Sequence, residues 1–177
     1  MKWLNEPPHW QDEQGKITIE GQPDTDFWRV TRHDYIVDNG HFYYQPVEGN
    51  FSATVKVTGD YAELYDQAGL MIRESEAVWV KCGIEFVDGV HYASVVITRD
   101  FSDWSIVPLE NPSSMWFRVS RIDTTIEVYY SHDGQDFVLF RQGYLTATPT
   151  LQVGMMVAVP KGAGFTAIFE NFMVKSL

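Results

Sequence analysis

Helical periodicity is almost absent from this sequence of 177 residues. The best helical candidate, residues 60–66, would form one or two turns at most, and we expect a loop there. No apolar run approaches the roughly 18 residues that a membrane-spanning helix requires. These absences exclude helical bundles and leave β-strands as the main structural element.

Basic residues are also scarce, because 24 acidic residues outnumber 13 lysines and arginines and give a net charge of −11. Proteins bind nucleic acids through basic stripes that displace counterions, so we expect no nucleic-acid partner. We also expect no membrane partner, and solubility is the simplest explanation of the acidity. Residues 1–8 lack the apolar segment of a secretory signal, which predicts a cytoplasmic protein.

The single cysteine, Cys82, rules out an internal disulfide framework. It stands among apolar residues of an alternating segment, which predicts an unreactive core thiol. The sequence has no Gly-x-Ser-x-Gly nucleophile turn, no phosphate-binding glycine loop followed by a helix and no aspartate-rich calcium loop. Its five histidines have no ligand-like spacing. We therefore predict no catalytic residue, no metal ligand and no cofactor.

Short strand-like runs fill the chain from residue 41 onward, and the turn signals Asn39-Gly40, Asp88-Gly89 and Asp133-Gly134 separate some of them. The runs are His41–Pro46, Phe51–Thr58, Ala68–Arg73, Ala77–Phe86, His91–Thr98, Asp103–Val107, Trp116–Arg121, Thr125–Ser131, Phe137–Gln142, Leu151–Val159 and Phe165–Val174. Hydrophobic residues make up 45% of the chain, enough for a sizeable core. No linker or repeat divides the chain, so we expect one domain over residues 1–177, built as an antiparallel sandwich or barrel.

The run around Cys82 shows the clearest alternation. Apolar residues occupy its even positions, and its odd positions from 79 to 85 hold Trp79, Lys81, Gly83 and Glu85. Successive side chains of a strand point to opposite faces of a sheet. We predict that the even-numbered face is core and that the odd-numbered face is open and suited to a ligand.

Several segments resemble one known family, the concanavalin A-like domain of unknown function typified by the "regulation of enolase" proteins. They are residues 25–29 (TDFWR), 38–44 (DNGHFYY), 65–71 (YDQAGLM), 79–89 (WVKCGIEFVDG) and 94–105 (SVVITRDFSDWS). The resemblance implies an all-β, concanavalin A-like jelly-roll sandwich of two curved antiparallel sheets, similar to legume lectins and laminarinases. It implies no defined reaction. Similar domains follow catalytic domains in some sugar-cleaving enzymes, which favours contact with carbohydrate.

In jelly rolls of this kind the open face of the concave sheet forms a groove. If the apolar faces are core, strand residues and residues of nearby connections would reach this groove. The ligand-binding candidates are Tyr65, Gln67, Arg73, Trp79, Lys81, Glu85, Asp103, Trp104, Trp116 and Arg118. Sugars are bound by aromatic rings that stack on apolar ring faces and by charged or amide groups that satisfy hydroxyls. The candidate set contains all of these groups.

Two alternatives concern the same residues. The charged groups could instead form salt bridges on the sheet surface, Lys81 with Glu85 and Arg73 with a neighbouring acid, as is common on sheets. The tryptophans of the N-terminal region, Trp3, Trp10 and Trp28, are expected to close the ends of the core and not to bind ligand.

The function predicted from these residues is non-catalytic binding of a carbohydrate or sugar-like small molecule on the concave face. One alternative is a regulatory protein-interaction module in carbohydrate metabolism. Another is a glycoside hydrolase, which needs two carboxylates, whereas this strand supplies Glu85 alone. A second acid would have to come from Glu74, Asp100 or Asp103. A polysaccharide lyase could use Lys81 with Tyr65.

Overall fold

A computed structural model describes residues 1–177, which form sixteen β-strands and no helix. The strands are β1 (Lys2–Leu4), β2 (Trp10–Glu13), β3 (Lys16–Gly21), β4 (Phe27–Arg29), β5 (Ile36–Asp38), β6 (His41–Glu48), β7 (Phe51–Gly59), β8 (Gln67–Ser75), β9 (Val78–Val87), β10 (Val90–Arg99), β11 (Phe101–Pro108), β12 (Met115–Ile122), β13 (Thr125–Ser131), β14 (Val138–Tyr144), β15 (Thr150–Ala158) and β16 (Phe165–Ser176). The chain therefore has no helix capable of crossing a bilayer.

The strands form two seven-stranded antiparallel sheets. The first sheet has the order β1-β6-β15-β8-β9-β10-β11, and the second has the order β14-β13-β12-β7-β16-β3-β2. Strands β4 and β5 pair only with each other. The architecture confirms the predicted jelly-roll sandwich. It also makes β11 an edge of the first sheet.

The main core lies between the two sheets and is built by alternation along each strand. On β9, for example, Val80, Cys82 and Ile84 all belong to this core. Facing side chains such as Phe117 of β12 and Val55 of β7 come from the second sheet and are fully buried. Burial raises the pKa of the Cys82 thiol, which agrees with the unreactive core thiol predicted from sequence.

A second, smaller core lies on the other face of the first sheet. It consists of Phe27, Phe42, Met71, Trp79, Val96, Met156 and Ala158. All but Phe27 are strand residues of the sheet, whereas Phe27 lies on β4. The β4–β5 hairpin (Phe27–Asp38, hereafter the hairpin) therefore covers part of the face that was predicted to be open.

The eleven strand-like runs correspond to β6–β16, with small differences at their ends. Residues 60–66 form no helix, as predicted. Asp88 and Gly89 have positive φ angles and connect β9 to β10, which confirms that hairpin. Asn39-Gly40 was wrong as a hairpin signal, because it leads from β5 into β6 and these strands do not pair. Strands β1, β2, β4 and β5 were missed because three or four residues are too few for a clear periodic pattern, whereas the six residues of β3 do alternate and were overlooked.

Candidate functional site

A pocket opens on the uncovered part of the first sheet, beside the hairpin. Its volume is about 140 Å³. Twelve residues line it: Asp26, Trp28, His33, Tyr35, Tyr65, Gln67, Lys81, Glu85, Val96, Trp104, Pro160 and Lys161. We call this space the pocket, and we call the part of the sheet under the hairpin the covered half.

Glu85 forms the polar centre of the pocket floor, although only 7% of its surface is exposed. Its Oε2 accepts hydrogen bonds from Ser94 Oγ and, at 2.8 Å, from Trp104 Nε1. No protein group donates to its Oε1, so that oxygen can accept from a ligand. Burial raises the pKa of Glu85, while the Lys81 charge and the bonds from Ser94 and Trp104 oppose the rise.

Lys81 and Asp26 form an ion pair beside Glu85. Lys81 Nζ lies 3.1 Å from Asp26 Oδ1 and donates to the carbonyl oxygen of Phe27 at 2.7 Å. Gln67 Nε2 donates to the carbonyl of Tyr65 at 3.2 Å and lies 3.5 Å from Asp26 Oδ1. The floor therefore offers an amide, an ammonium and two carboxylates. Gly83, between Lys81 and Glu85 in the strand, lines a small recess together with them.

Two aromatic residues stand at the rim of the pocket, one on the edge strand β11 and one on the turn before β8. Trp104 on β11 is 38% exposed, and its indole N–H is fixed by Glu85 and by Ser94 Oγ at 3.1 Å. Tyr65 packs edge to face against Trp104, with ring centroids 6.4 Å apart. An exposed indole ring held in one orientation is a suitable platform for stacking.

The hairpin supplies the opposite wall with three more rings. Trp28 packs edge to face with His33, and His33 stacks on Tyr35 at 5.4 Å. Trp28 Nε1 donates to the carbonyl of Thr31, which fixes the indole to the hairpin loop. Burial raises the pKa of Tyr35, and the charges of Asp26 and Tyr65 add to this rise. The phenol therefore stays protonated and can donate to a ligand at neutral pH.

The structure brings five of the ten predicted site residues together in the pocket: Tyr65, Gln67, Lys81, Glu85 and Trp104. The odd-numbered side chains of β9 do lie on the face opposite the core, as the alternation predicted. Lys81 pairs with Asp26 of the segment leading into β4 and not with Glu85, the partner considered from sequence.

Trp79 and Arg73 were wrong as groove residues, because the hairpin covers them. Trp79 is completely buried against Phe27, with ring centroids 6.3 Å apart. Arg73 makes two hydrogen bonds to the Asp38 carboxylate at 2.6 and 2.7 Å. The alternative of ion pairing is confirmed for Arg73, although its acid belongs to the hairpin and not to a neighbouring strand of the sheet.

Trp116, Arg118 and Asp103 were also wrong as members of this site. Trp116 and Arg118 lie on β12 of the second sheet, on the face opposite the core residue Phe117, so the whole sandwich separates them from the pocket. Arg118 lies over the ring of Phe137, 3.5 Å from its centroid. Asp103 pairs with Arg141 of β14 at 2.7 Å and thereby links the edges of the two sheets. A face pattern alone does not tell which of two sheets a strand joins.

Sequence reasoning missed seven residues of the pocket: Asp26, Trp28, His33, Tyr35, Val96, Pro160 and Lys161. Trp3 and Trp10 pack against the main core as predicted, but Trp28 lines the pocket instead of closing the sandwich. The available signal was the density of aromatic and charged residues between positions 26 and 35, which has no alternating apolar face to explain it. The described chain has no group of three or more His, Cys, Asp or Glu residues suited to holding a metal ion.

Comparison with known proteins gives a family and a close structural relative. The family model described as "Protein of unknown function (DUF1349)" matches residues 3–177. The chain is 36% identical over 171 residues to Regulation of enolase protein 1 of Saccharomyces cerevisiae, an alignment that covers 96% of this chain and 86% of that protein. A crystal structure of a functionally unknown protein from Saccharomyces cerevisiae matches with a TM-score of 0.96 and 34% identity, over 99% of this chain and 96% of the other.

More distant structures share the fold. A mutant of the GH43 protein BlXynB from Bacillus licheniformis matches with a TM-score of 0.76 and 17% identity, over 97% of this chain but only 36% of that protein. The carbohydrate binding module CBM66 from Bacillus subtilis matches with a TM-score of 0.63 and 12% identity, over 98% of this chain and 95% of the module. At these identities the likeness shows that the proteins share a β-sandwich fold, and it gives no information about a shared binding site.

Proposed function

The chain belongs to the DUF1349 family, and on that premise we propose that it is a non-catalytic domain that binds a carbohydrate, or a similar polyhydroxylated small molecule, in the pocket. The observation that carries the proposal is the environment of Glu85. Its Oε2 is used by Ser94 and Trp104, while its Oε1 has no protein partner and faces a space walled by aromatic rings. An accessible acceptor that no protein group occupies, on a side chain that is otherwise almost completely buried, is available to a ligand that brings a donor.

The surrounding groups fit the chemistry of a sugar. Hydroxyl groups donate and accept hydrogen bonds, and the floor offers acceptors on Glu85 and Gln67 together with a charged donor on Lys81. The exposed ring of Trp104 can stack on the apolar face of a sugar ring. The distant relatives named as a GH43 protein and as a carbohydrate binding module support this ligand class through the fold they share with the chain.

Glycoside hydrolysis is a second candidate, because Asp26 and Glu85 bring two carboxylates to one pocket. The three acids considered from sequence as partners of Glu85 do not line the pocket. Asp26 is poorly suited to a reactive role, since its Oδ1 already accepts from Lys81 and from the Phe27 amide. A lyase is disfavoured as well. Lys81 Nζ donates to Asp26 and to the Phe27 carbonyl, whereas a general base needs a free lone pair.

A regulatory role in carbohydrate metabolism, exerted through a protein partner in the cytoplasm, is the alternative that the name of the yeast relative favours. The two proposals predict different results in binding experiments. A protein partner would be recovered from cell extract whether or not saccharide is present, and a carbohydrate-binding domain would show saturable binding to purified glycans.

Screening the purified protein against a broad array of linear glycans tests the proposed function. We expect saturable binding to at least one glycan without release of reducing ends or unsaturated products. Trp104→Ala should weaken that binding, and Trp116→Ala is the matched control because it removes a half-buried indole from the second sheet. Equal loss in both variants, or no bound glycan on the array, would contradict the proposal. Release of reducing ends that stops in Glu85→Gln and in Asp26→Asn would favour the hydrolase.

A further inference from the structure

We infer that the pocket holds one sugar unit at the end of a chain, or a free monosaccharide, and not an internal stretch of a polysaccharide. This inference rests on the proposed function, because it concerns how a glycan chain can enter and leave the same pocket. In an open groove an extended chain passes through and leaves at both sides. Here the protein closes three of the four sides of the pocket, and hydrogen bonds, an ion pair or ring contacts hold each closing segment in place.

The hairpin closes the first side and crosses the sheet from β8 to β11. Asp38 at its base is paired with Arg73 of β8. At its other end the backbone N–H of Arg29 donates to Ser102 Oγ of β11 at 2.9 Å, and Arg29 Nε donates to the carbonyl of Asp100 at 3.3 Å. Phe27 fills the space beneath it against the small core. The covered half therefore offers no continuation of the pocket along the strands.

The segment before the hairpin closes the side toward β15. The backbone N–H of Thr25 donates to the carbonyl of Val159, and the N–H of Val159 donates to Thr25 Oγ1. Pro23 forms a parallel bridge with the same valine. Pro160 and Lys161, which follow directly, line the pocket. This side is a wall of backbone fixed to the end of β15.

Tyr65 closes the third side, at the end of the strands opposite the hairpin. Its backbone N–H donates to the carbonyl of Phe86 at 2.7 Å, which places it over the end of β9. Its ring packs edge to face on Trp104 and lines the pocket. The φ angle of Tyr65 is +69°, and this left-handed conformation belongs to the turn that brings the chain from residues 60–64 into β8.

The remaining side leads to β11, the edge strand of the sheet. Trp104 lies at this exit with 38% of its surface exposed. A chain whose last unit occupies the floor over Glu85 can leave only across Trp104 or upward into solvent. The size of the pocket agrees, because its volume of about 140 Å³ is well below the roughly 300–1,000 Å³ of pockets that enclose drug-sized ligands, as expected for a single small unit.

A calorimetric length series tests the inference. The probes are the glycan that gives the strongest array signal, taken from its monosaccharide and disaccharide up to the polymer, together with a cyclic form of the same glycan where one exists. We expect one protein per chain at every length, competition by the free monosaccharide and no binding to the cyclic form. Trp104→Ala should weaken binding of the disaccharide more than binding of the monosaccharide, whereas Trp116→Ala should change neither.

A number of bound proteins that rises with chain length, or a cyclic glycan that binds as tightly as its linear form, would overturn the inference. Both results would leave the proposed function standing, because saccharide would still bind at the pocket. Absence of binding to every glycan in the screen would overturn both together. Treating the oligosaccharide with borohydride, which opens its reducing-end ring, separates the two ends. Unchanged binding assigns the pocket to the non-reducing end, and lost binding assigns it to the reducing end.

Discussion

The covered half and the pocket are built from the same strands and the same kinds of residues, yet they differ in what completes them. In the covered half Arg73 and Trp79 find their partners within the chain, in Asp38 and Phe27. In the pocket Glu85 keeps one oxygen without a protein partner and Trp104 keeps an exposed ring. The position of the hairpin, and not the residue types of β8 and β9, separates structural residues from candidate ligand contacts.

The two tryptophans make the largest expected contrast. Trp79→Ala removes a completely buried indole from the small core and should lower the free energy of unfolding by about 3–5 kcal/mol. Trp104→Ala removes a partly exposed ring with hydrogen bonds to Glu85 and Ser94 and should lower it by only about 1–2 kcal/mol. Denaturant unfolding of both variants measures the difference. Equal losses would mean that the hairpin does not separate the two regions.

The ion pair at the base of the hairpin gives a somewhat smaller effect. Asp38→Ala leaves the buried guanidinium of Arg73 without its acid and should lower the free energy of unfolding by about 2–3 kcal/mol. The control is Asp103→Ala, which breaks the more exposed pair with Arg141 and should lower the free energy of unfolding by only about 0–1 kcal/mol. The same unfolding measurement compares them. If Asp38→Ala is as mild as its control, the hairpin is not held by this pair.

Glu85→Gln tests the pocket through affinity. The amide keeps the shape and can still accept from Ser94 and Trp104, but it removes the charge that a ligand hydroxyl would meet. Hydrogen bonds to charged groups are worth about 1.5–3 kcal/mol, so binding of the strongest array glycan should weaken by about 10- to 150-fold. The matched control is Glu127→Gln on the second sheet, where the carboxylate bonds with Tyr129 and Gln142. Unchanged affinity in Glu85→Gln would remove Glu85 from the site.

The smallest expected effect is a pH dependence of the free energy of unfolding, which arises from the carboxyl group of Glu85. Because burial raises the pKa of Glu85 above its usual 4.5, the folded protein keeps a proton that the unfolded chain has lost in the interval between the two values. The free energy of unfolding should therefore fall as pH rises through that interval, by at most about 1.4 kcal/mol per pH unit. The difference in unfolding free energy between parent and Glu85→Gln, measured across this range, should show that slope. A difference that is constant with pH would contradict the assignment.

Ligand affinity should move in the opposite direction to stability. A hydroxyl that donates to Glu85 favours the ionised carboxylate, so affinity should rise as pH increases through the raised pKa of Glu85. Titrations of the same glycan at several pH values, with Glu85→Gln as the flat reference, measure this. Affinity that falls with pH would mean that the ligand accepts a proton from Glu85 instead.

The recurrence of short strand-like runs with turn signals predicted the sandwich, and the alternation of β9 predicted the orientation of Lys81 and Glu85, because a strand with one apolar face has only one way to lie on a core. The same reasoning failed for Trp116 and Arg118. Their strand also alternates cleanly, and alternation carries no information about which sheet a strand joins.

The hairpin could not be predicted for a different reason. Its strands are three residues long, and its loop needs positive φ angles at Val30, Arg32 and Asp34, of which Val and Arg are residue types that do not signal such turns. Its position is set by long-range contacts to Arg73, Lys81 and Ser102, and no local pattern encodes them. For the same reason the sequence pointed to an open groove, whereas the structure has a pocket with a wall.

The six tryptophans provide the most direct test, because the two that line the pocket can be distinguished by NMR from the four that do not. During titration with the strongest array glycan, the indole N–H signals of Trp28 and Trp104 should shift, and those of Trp3, Trp10, Trp79 and Trp116 should stay in place. Shifts confined to Trp116, or no shift at Trp104 when the protein is saturated with glycan, would contradict a saccharide site between Glu85 and the hairpin.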